Sequence, residues 1–342
     1  LMTLDEIIAQ IADHLPSEDM AALAYLNEQA EQYSDHEFAA EITRACARMM
    51  MDYIPADEQA QAFDDMLEEI VYPILDGLAE AENLVHAGAD EEALPVLETL
   101  IGRLDAIIDQ GLFQNDATTE YYCFGEPFEE LLFMYMNRPE HQIEPCMVPF
   151  MEVYDLYGTL LLAQGQARAA AHVLKQAARW NPCDATVLCD YADALAEMGD
   201  EDGFLATVKE AFKVAYSGEG LARCYCTIGR YFMNQGMDNE ALGCTLLGLQ
   251  YDEDNPAIHA QMTAIQEKTD GTAQAPTFED MMALCNRYGF NIGADDLVVG
   301  IACHYGETFF QKGDEEQAEY FLEIAYELTE DDTVKSMLDQ IQ

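Results

Sequence analysis

The chain has 342 residues, half of them apolar, and sets 66 acids against 15 bases for a formal charge of −51. A field of that sign repels nucleic acid and anionic membrane surfaces, which need Lys and Arg to displace their counterions, and it draws basic partners. The apolar half is enough for a real core, so wholesale disorder is excluded as well. The acids also read simply as solvated helix faces that keep the chain dispersed.

The first 150 residues carry only Arg44, Arg48, Arg103 and Arg138 as bases. They open with an amphipathic acidic segment, LMTLDEIIAQIADHL, which lacks the basic and apolar regions of a leader. Helices are predicted over 3–13, 18–33, 35–53 and 56–87. Ser17 and Ser34 are the expected caps of the second and third. Pro55 suits the start of the fourth, and Pro73 should kink or split it. Within it Ala81 and Leu84 precede Gly88, with Ala93 and Leu97 beyond. Residues 110–150 follow as an irregular insertion rich in aromatics, among them Tyr121, Tyr122, Phe124, Phe128, Phe133 and Tyr135. This insertion either packs over one end of a binding groove or fills a joint between neighbouring parts.

From Met151 a pattern recurs. Tyr154, Tyr157, Gly158 and Leu161 share one helical face, Gly165 ends the helix, Ala170, Leu174 and Ala177 mark a second helix, and Pro182 closes the unit. Shifted by 34 residues, Leu188, Tyr191, Ala192 and Leu195 precede Gly199, with Val208 and Ala211 beyond. Shifted by 37 more, Tyr225, Ile228, Gly229 and Phe232 precede Gly236, followed by Ala241 and Gly248. Small residues at these places let two antiparallel helices approach closely, and each terminal glycine permits a left-handed turn. Near the end, Ala302, Tyr305, Gly306 and Phe309 precede Gly313, then Ala318, Leu322 and Ala325. A polar linker, 268–276, a helix from Phe278 to Tyr288 and a closing helix from Thr333 to Ile341 complete the chain. Gly88 lies 77 residues before Gly165, and Gly236 lies 77 before Gly313, a spacing that leaves open either duplication or coincidence.

This 34-residue pattern resembles the tetratricopeptide repeat family. The resemblance implies an all-α fold, a TPR-like α-α superhelix or solenoid with an N-terminal helical lobe and a C-terminal capping helix. The expected division is a lobe over 1–72, a degenerate hairpin over 73–109, the insertion over 110–150, three hairpins and a following helix over 151–268, and linker, helix, hairpin and cap over 269–342. Phe204 departs from the pattern, which prefers a small residue there.

In the resembled family the first helix of each hairpin lines a concave groove that holds peptides. Carried onto this sequence, the groove positions are Glu152, Asp155 and Thr159, then Cys189, Asp190, Asp193 and Glu197, then Arg223, Cys226, Thr227, Arg230 and Asn234. Arg223 and Arg230 are seven apart and share a face. Either the two arginines clamp an anionic group of the partner, or Arg230 pairs with Asp193 in a structural ion network. The family's carboxylate clamp is incomplete, since Asp155 and Thr159 stand where it would want Lys and Asn.

Nothing in the sequence nominates chemistry. Cys224 and Cys226 diverge on a helix, the seven histidines are isolated, and no HExxH, GxSxG or Gly-rich phosphate loop occurs. The ten cysteines form no CxxC pair and point to a reducing cytoplasm. No run of 18 apolar residues is present to span a membrane. The expectation is a cytoplasmic, non-enzymatic protein- or peptide-binding scaffold without metal or cofactor, its partner basic in character. A peptide-sensing regulator is the second reading and an enzyme with an unrecognised site the third.

Overall fold

The computed structural model describes residues 2–115 and 119–341. The chain divides into two compact units: Leu1–Cys123 with Pro139–Phe150, and Phe124–Arg138 with Met151–Gln342.

In the first unit, α1 (Leu4–Asp13), α2 (Asp19–Gln32) and α3 (Ala39–Met51) close over Leu4, Ile7, Ile11, Leu26, Ile42 and Cys46. Thr3 and Glu6 cap α1 reciprocally in a capping box. The two expected serine caps do not form. α2 starts behind Glu18 and α3 behind Phe38, neither with a side-chain cap bond; ahead of α3, residues 33–38 form a turn in which His36 Nδ1 accepts from Phe38 N at 3.2 Å. α4 (Ala56–Met66) buries no residue. The helix predicted over 56–87 is divided ahead of Pro73 by a π-turn, Leu67–Val71, after which α5 (Tyr72–His86) takes Pro73 in its first turn. α5 and α6 (Asp90–Asp109) form a hairpin about Gly88, whose φ is +72°. At Gly77 a Cβ would lie 2.8 Å from Leu100 Cδ2, so any larger residue there would have to displace the Leu100 side chain between these two helices.

The insertion contains a feature the sequence reading lacked. β1 (Thr119–Tyr122) pairs in parallel with β2 (Gln142–Pro145). The chain between the strands carries α7 (Pro127–Asn137), which belongs to the second unit.

That unit is an all-α, solenoid-like stack of hairpins: α8 (Phe150–Ala163) with α9 (Ala167–Trp180), α10 (Ala185–Glu197) with α11 (Glu201–Val214), and α12 (Gly218–Asn234) with α13 (Asp238–Tyr251). The turn glycines Gly165, Gly199 and Gly236 have φ of +74°, +77° and +76°. A residue on the first helix meets one sixteen positions later on the second. A Cβ at Gly158 would overlap the Leu174 side chain, and one at Gly306 would lie 2.7 Å from Leu322 Cδ2. Ala192 and Val208, both buried, stand at the same spacing. Side-chain oxygens of Asp184 and Ser217 cap α10 and α12.

α14 (Pro256–Lys268) packs on α12 and α13, and α15 (Phe278–Tyr288) on α13, where Tyr288 lies 4.9 Å from Phe232, edge to face. The last hairpin, α16 (Asp296–Lys312) and α17 (Glu315–Thr329), carries α18 (Asp332–Ile341) against α17. The array does not simply run on from α14 into this hairpin. α16 packs on α11, while α17 meets α7, with Phe128 N donating to Tyr320 Oη at 3.3 Å. Phe128 also stacks on Tyr216 at 5.1 Å. Among the described residues the two 77-residue intervals hold unlike structures, strand–helix–strand in one and the helices α14 and α15 in the other.

Candidate functional site

Helices α8, α10 and α12 stand side by side, so residues spaced by three, four and seven on each present one face to a common groove. Its volume is about 480 Å³. α8 contributes Thr159, with Leu162 and Ala163. α10 contributes Asp190, Asp193 and Glu197, with Ala196 between them. α12 contributes Arg223, Thr227, Arg230 and Asn234. Glu152 and Asp155 lie outside the lining. Cys189 and Cys226 turn into the core, Cys189 with its Sγ against Cys224 Sγ at 3.7 Å and Cys226 against Gln261 Oε1 at 3.2 Å.

An ion network holds the walls together. Arg223 Nη2 donates to Asp190 Oδ1 and, at 2.8 Å, to Asp193 Oδ2, while its Nη1 donates to Thr227 Oγ1 at 3.0 Å. Burial works against the Arg223 cation, but Asp190 and Asp193 more than offset it and keep the guanidinium charged. Arg230 Nη1 reaches Asp193 Oδ2 at 3.3 Å with its side chain 41% exposed. Arg223 thus ties α12 to α10, whereas Arg230 remains at the open side.

Asp155 sits one turn before Thr159 on α8. Its Oδ1 is buried without a hydrogen-bond partner. Burial first, then the charges of Asp190 and Asp184, push its carboxyl well above the usual carboxylate range, and Arg223 opposes this.

Several lining residues were missed by the sequence reading. Phe204 at the head of α11 and Tyr231 on α12 stack at 4.8 Å and form an apolar floor, and the Tyr231 hydroxyl donates to Glu201. Phe204 was the available signal, as the residue that broke the small-residue pattern. With Glu201 the groove holds four carboxylates against two guanidiniums.

None of the insertion's aromatics lines the groove. Tyr121 packs on Phe113, Phe124 on Phe133, and Tyr135 meets Tyr305 hydroxyl to hydroxyl at 3.2 Å. α7 instead anchors to the loops that join successive hairpins. Buried Glu129 accepts from Asn181 Nδ2 at 2.8 Å, from Gly125 N at 2.7 Å and from the Tyr216 hydroxyl at 3.3 Å. Burial raises its pKa and the Asp184 charge adds to this, although the hydrogen bonds from Asn181 and Gly125 pull the other way.

Among the described residues no group of three or more His, Cys, Asp or Glu is placed to hold a metal. No helix among them is long and apolar enough to cross a membrane.

No family model and no curated protein matches the sequence. Among solved structures the chain is similar to a candidate protein-binding protein from Bacteroides ovatus, at 12% identity over 78% of this chain and 95% of that one, with a TM-score of 0.24. It is also similar to the TPR domain of P58(IPK), at 11% identity over 99% of this chain and 97% of that one, with a TM-score of 0.22. The hairpin architecture rests on the helix packing described above and not on these likenesses.

Proposed function

We propose that the chain is a non-catalytic scaffold that holds a polypeptide of basic character in the groove between α8, α10 and α12. The observation that carries this reading is the mixed lining. Phe204 and Tyr231 form an apolar floor, and the surrounding carboxylates outnumber the guanidiniums two to one. The floor rewards burial of a partner side chain, and the excess of acid steers and orients a cationic segment. Arg223 fixes the walls before any partner arrives, which lowers the ordering cost of association. A packed hairpin array supplies the rigid surface such a role requires.

The test places a photo-crosslinking residue at Ala196 in the groove and, separately, at Lys335 on α18. Ala196 should capture a polypeptide from native lysate, with capture falling as salt is raised, and Lys335 should not. Equal capture from both positions, or capture indifferent to salt, would overturn the proposal.

A further inference from the structure

α9 is set apart by its charge. It carries three of the chain's 15 bases and none of its 66 acids, the one acid-free helix among those described. Arg168, His172 and Lys175 follow one another at intervals of four and three, so they form a single stripe, and all three are exposed. None of them has a hydrogen-bond or ion-pair partner among the described residues. Arg179, one turn further on, is drawn instead over the Trp180 ring at 4.0 Å. Where the stripe begins, Gly165, Ala167 and Ala169 leave a shallow depression beside Arg168 and His172.

α4 is the counterpart. It is the one helix among those described that buries no residue. A helix of 11 residues is marginal in water unless it packs on something. It carries Asp57, Glu58, Asp64 and Asp65 and no base. Asp57 and Asp64 are seven apart, as are Arg168 and Lys175, a rise of about 10 Å on either helix. Ala60 lies between the two aspartates and Phe63 beside them, 47% exposed. Nucleic acid or an anionic membrane is the wrong occupant for the stripe, because either would extend past it over a chain of formal charge −51.

We propose that α9 seats α4 of a second copy of this chain, Arg168 and Lys175 pairing with Asp57 and Asp64 while Ala60 and Phe63 are buried against the stripe. The surface is separate from the groove, whose lining includes no residue of α9. The two faces differ, so the contact is heterologous, and copies join head to tail into a ring or a longer array. The like charge of whole copies opposes this at long range. At about 0.15 M salt that repulsion is largely screened beyond roughly 8 Å, while groups in contact still attract.

Sedimentation velocity of the full chain at about 0.15 M salt tests this across micromolar concentrations. The parent should rise above the monomer mass as its concentration rises. Two charge-reversed chains are compared, Arg168→Glu with Lys175→Glu, and Asp57→Lys with Asp64→Lys. All four positions are exposed, so the fold should persist, which circular dichroism and the melting transition check. Each reversed chain alone should associate at least about tenfold more weakly, because like charges then meet. Mixed in equal amounts, the two should associate again, since each finds its opposite on the other chain. Ala196→Arg, in the groove, should associate like the parent. A parent that stays monomeric, reversed chains that associate like the parent, or a mixture that stays monomeric would each overturn the contact. Loss of association in Ala196→Arg would overturn it too, by placing α9 of one copy in the acidic groove of another.

Discussion

Phe204 lies flat on Tyr231, ring centroids 4.8 Å apart and planes 22° from parallel, across the junction between two successive hairpins. One residue is 1% exposed and the other 8%, so the pair joins the core to the groove floor. Phe204→Ala should cost about 3–5 kcal/mol in urea unfolding, as truncation of a buried aromatic does. Binding at the groove should weaken at the same time, because the floor loses its wall. A loss below about 1 kcal/mol would show that the ring is not part of the core.

The glycine–leucine contacts within hairpins make a second prediction. Gly158→Ala puts a methyl into Leu174, so it should destabilise by about 1–3 kcal/mol through overpacking. Gly306→Ala should do the same against Leu322. Ala192→Gly, at the equivalent place in the intervening hairpin, should cost about 0.5–1 kcal/mol for backbone entropy plus the lost methyl contact. Differential scanning calorimetry on the three variants separates the cases.

The two arginines should behave differently. Arg223→Met leaves buried Asp190 without its cation and Asp193 with only the half-exposed Arg230, and should cost about 3–5 kcal/mol. Arg230→Gln breaks one half-exposed contact and should cost less than about 1 kcal/mol. Chemical denaturation of both variants under identical salt checks this, and equal costs would refute the assignment of Arg223 as the internal tie.

Asn181 is fully buried and is the side chain that joins Glu129 to the α9–α10 loop. Asn181→Ala leaves Glu129 short of a donor and should cost about 1–3 kcal/mol. The effect should concentrate in α7. Hydrogen exchange of amides 129–137 should accelerate more than that of α8 or α10. Uniform acceleration across the unit would mean that α7 is not held chiefly at this point.

The pH dependence of Asp155 has a definite sign. Its folded-state pKa is raised above the ordinary 3.8 by burial, then by Asp190 and Asp184, with Glu152 adding and Arg223 opposing. The folded state therefore holds this proton more tightly than the unfolded chain. The associated stability is complete below 3.8 and is lost as pH rises through the folded value. Asp155→Asn does not titrate, so it should match the parent near pH 3.5 and exceed it at pH 8 by about 1–3 kcal/mol. A variant less stable than the parent at pH 8 would contradict the burial argument.

The hairpins were legible because their determinants are local. Gly158, Ala192, Gly229 and Gly306 must be small where two helices cross, and Gly165, Gly199, Gly236 and Gly313 must adopt positive φ. Those demands recur at fixed intervals and survive in a single sequence. The groove-facing positions of α10 and α12 follow from the same periodicity. What stayed hidden depends on distant partners. The Phe128–Tyr216 stack joins residues 88 apart, and the Phe128–Tyr320 bond joins residues 192 apart. No spacing rule encodes such pairs, so neither the seat of α7 nor the return of the last hairpin onto α11 could be read. The β1–β2 ladder was equally silent, since four-residue strands leave no usable alternation. Cys189 and Cys226 were misplaced by about a third of a turn, which on a helix is the difference between groove and core.

The turns at Gly165 and Gly236 have open space around them, with nothing within 4 Å of a built Cβ. The opposite loops, at Asn181 and Tyr216, are pinned by Glu129. Segments inserted at the first pair of sites should be tolerated, because lengthening a free loop costs only about 0.6 kcal/mol per doubling. Insertions at the second pair would tear α7 from its seat. The hairpin stack thus has one edge where a tag, a reporter or a new module can be grafted, and one edge that is closed to such additions.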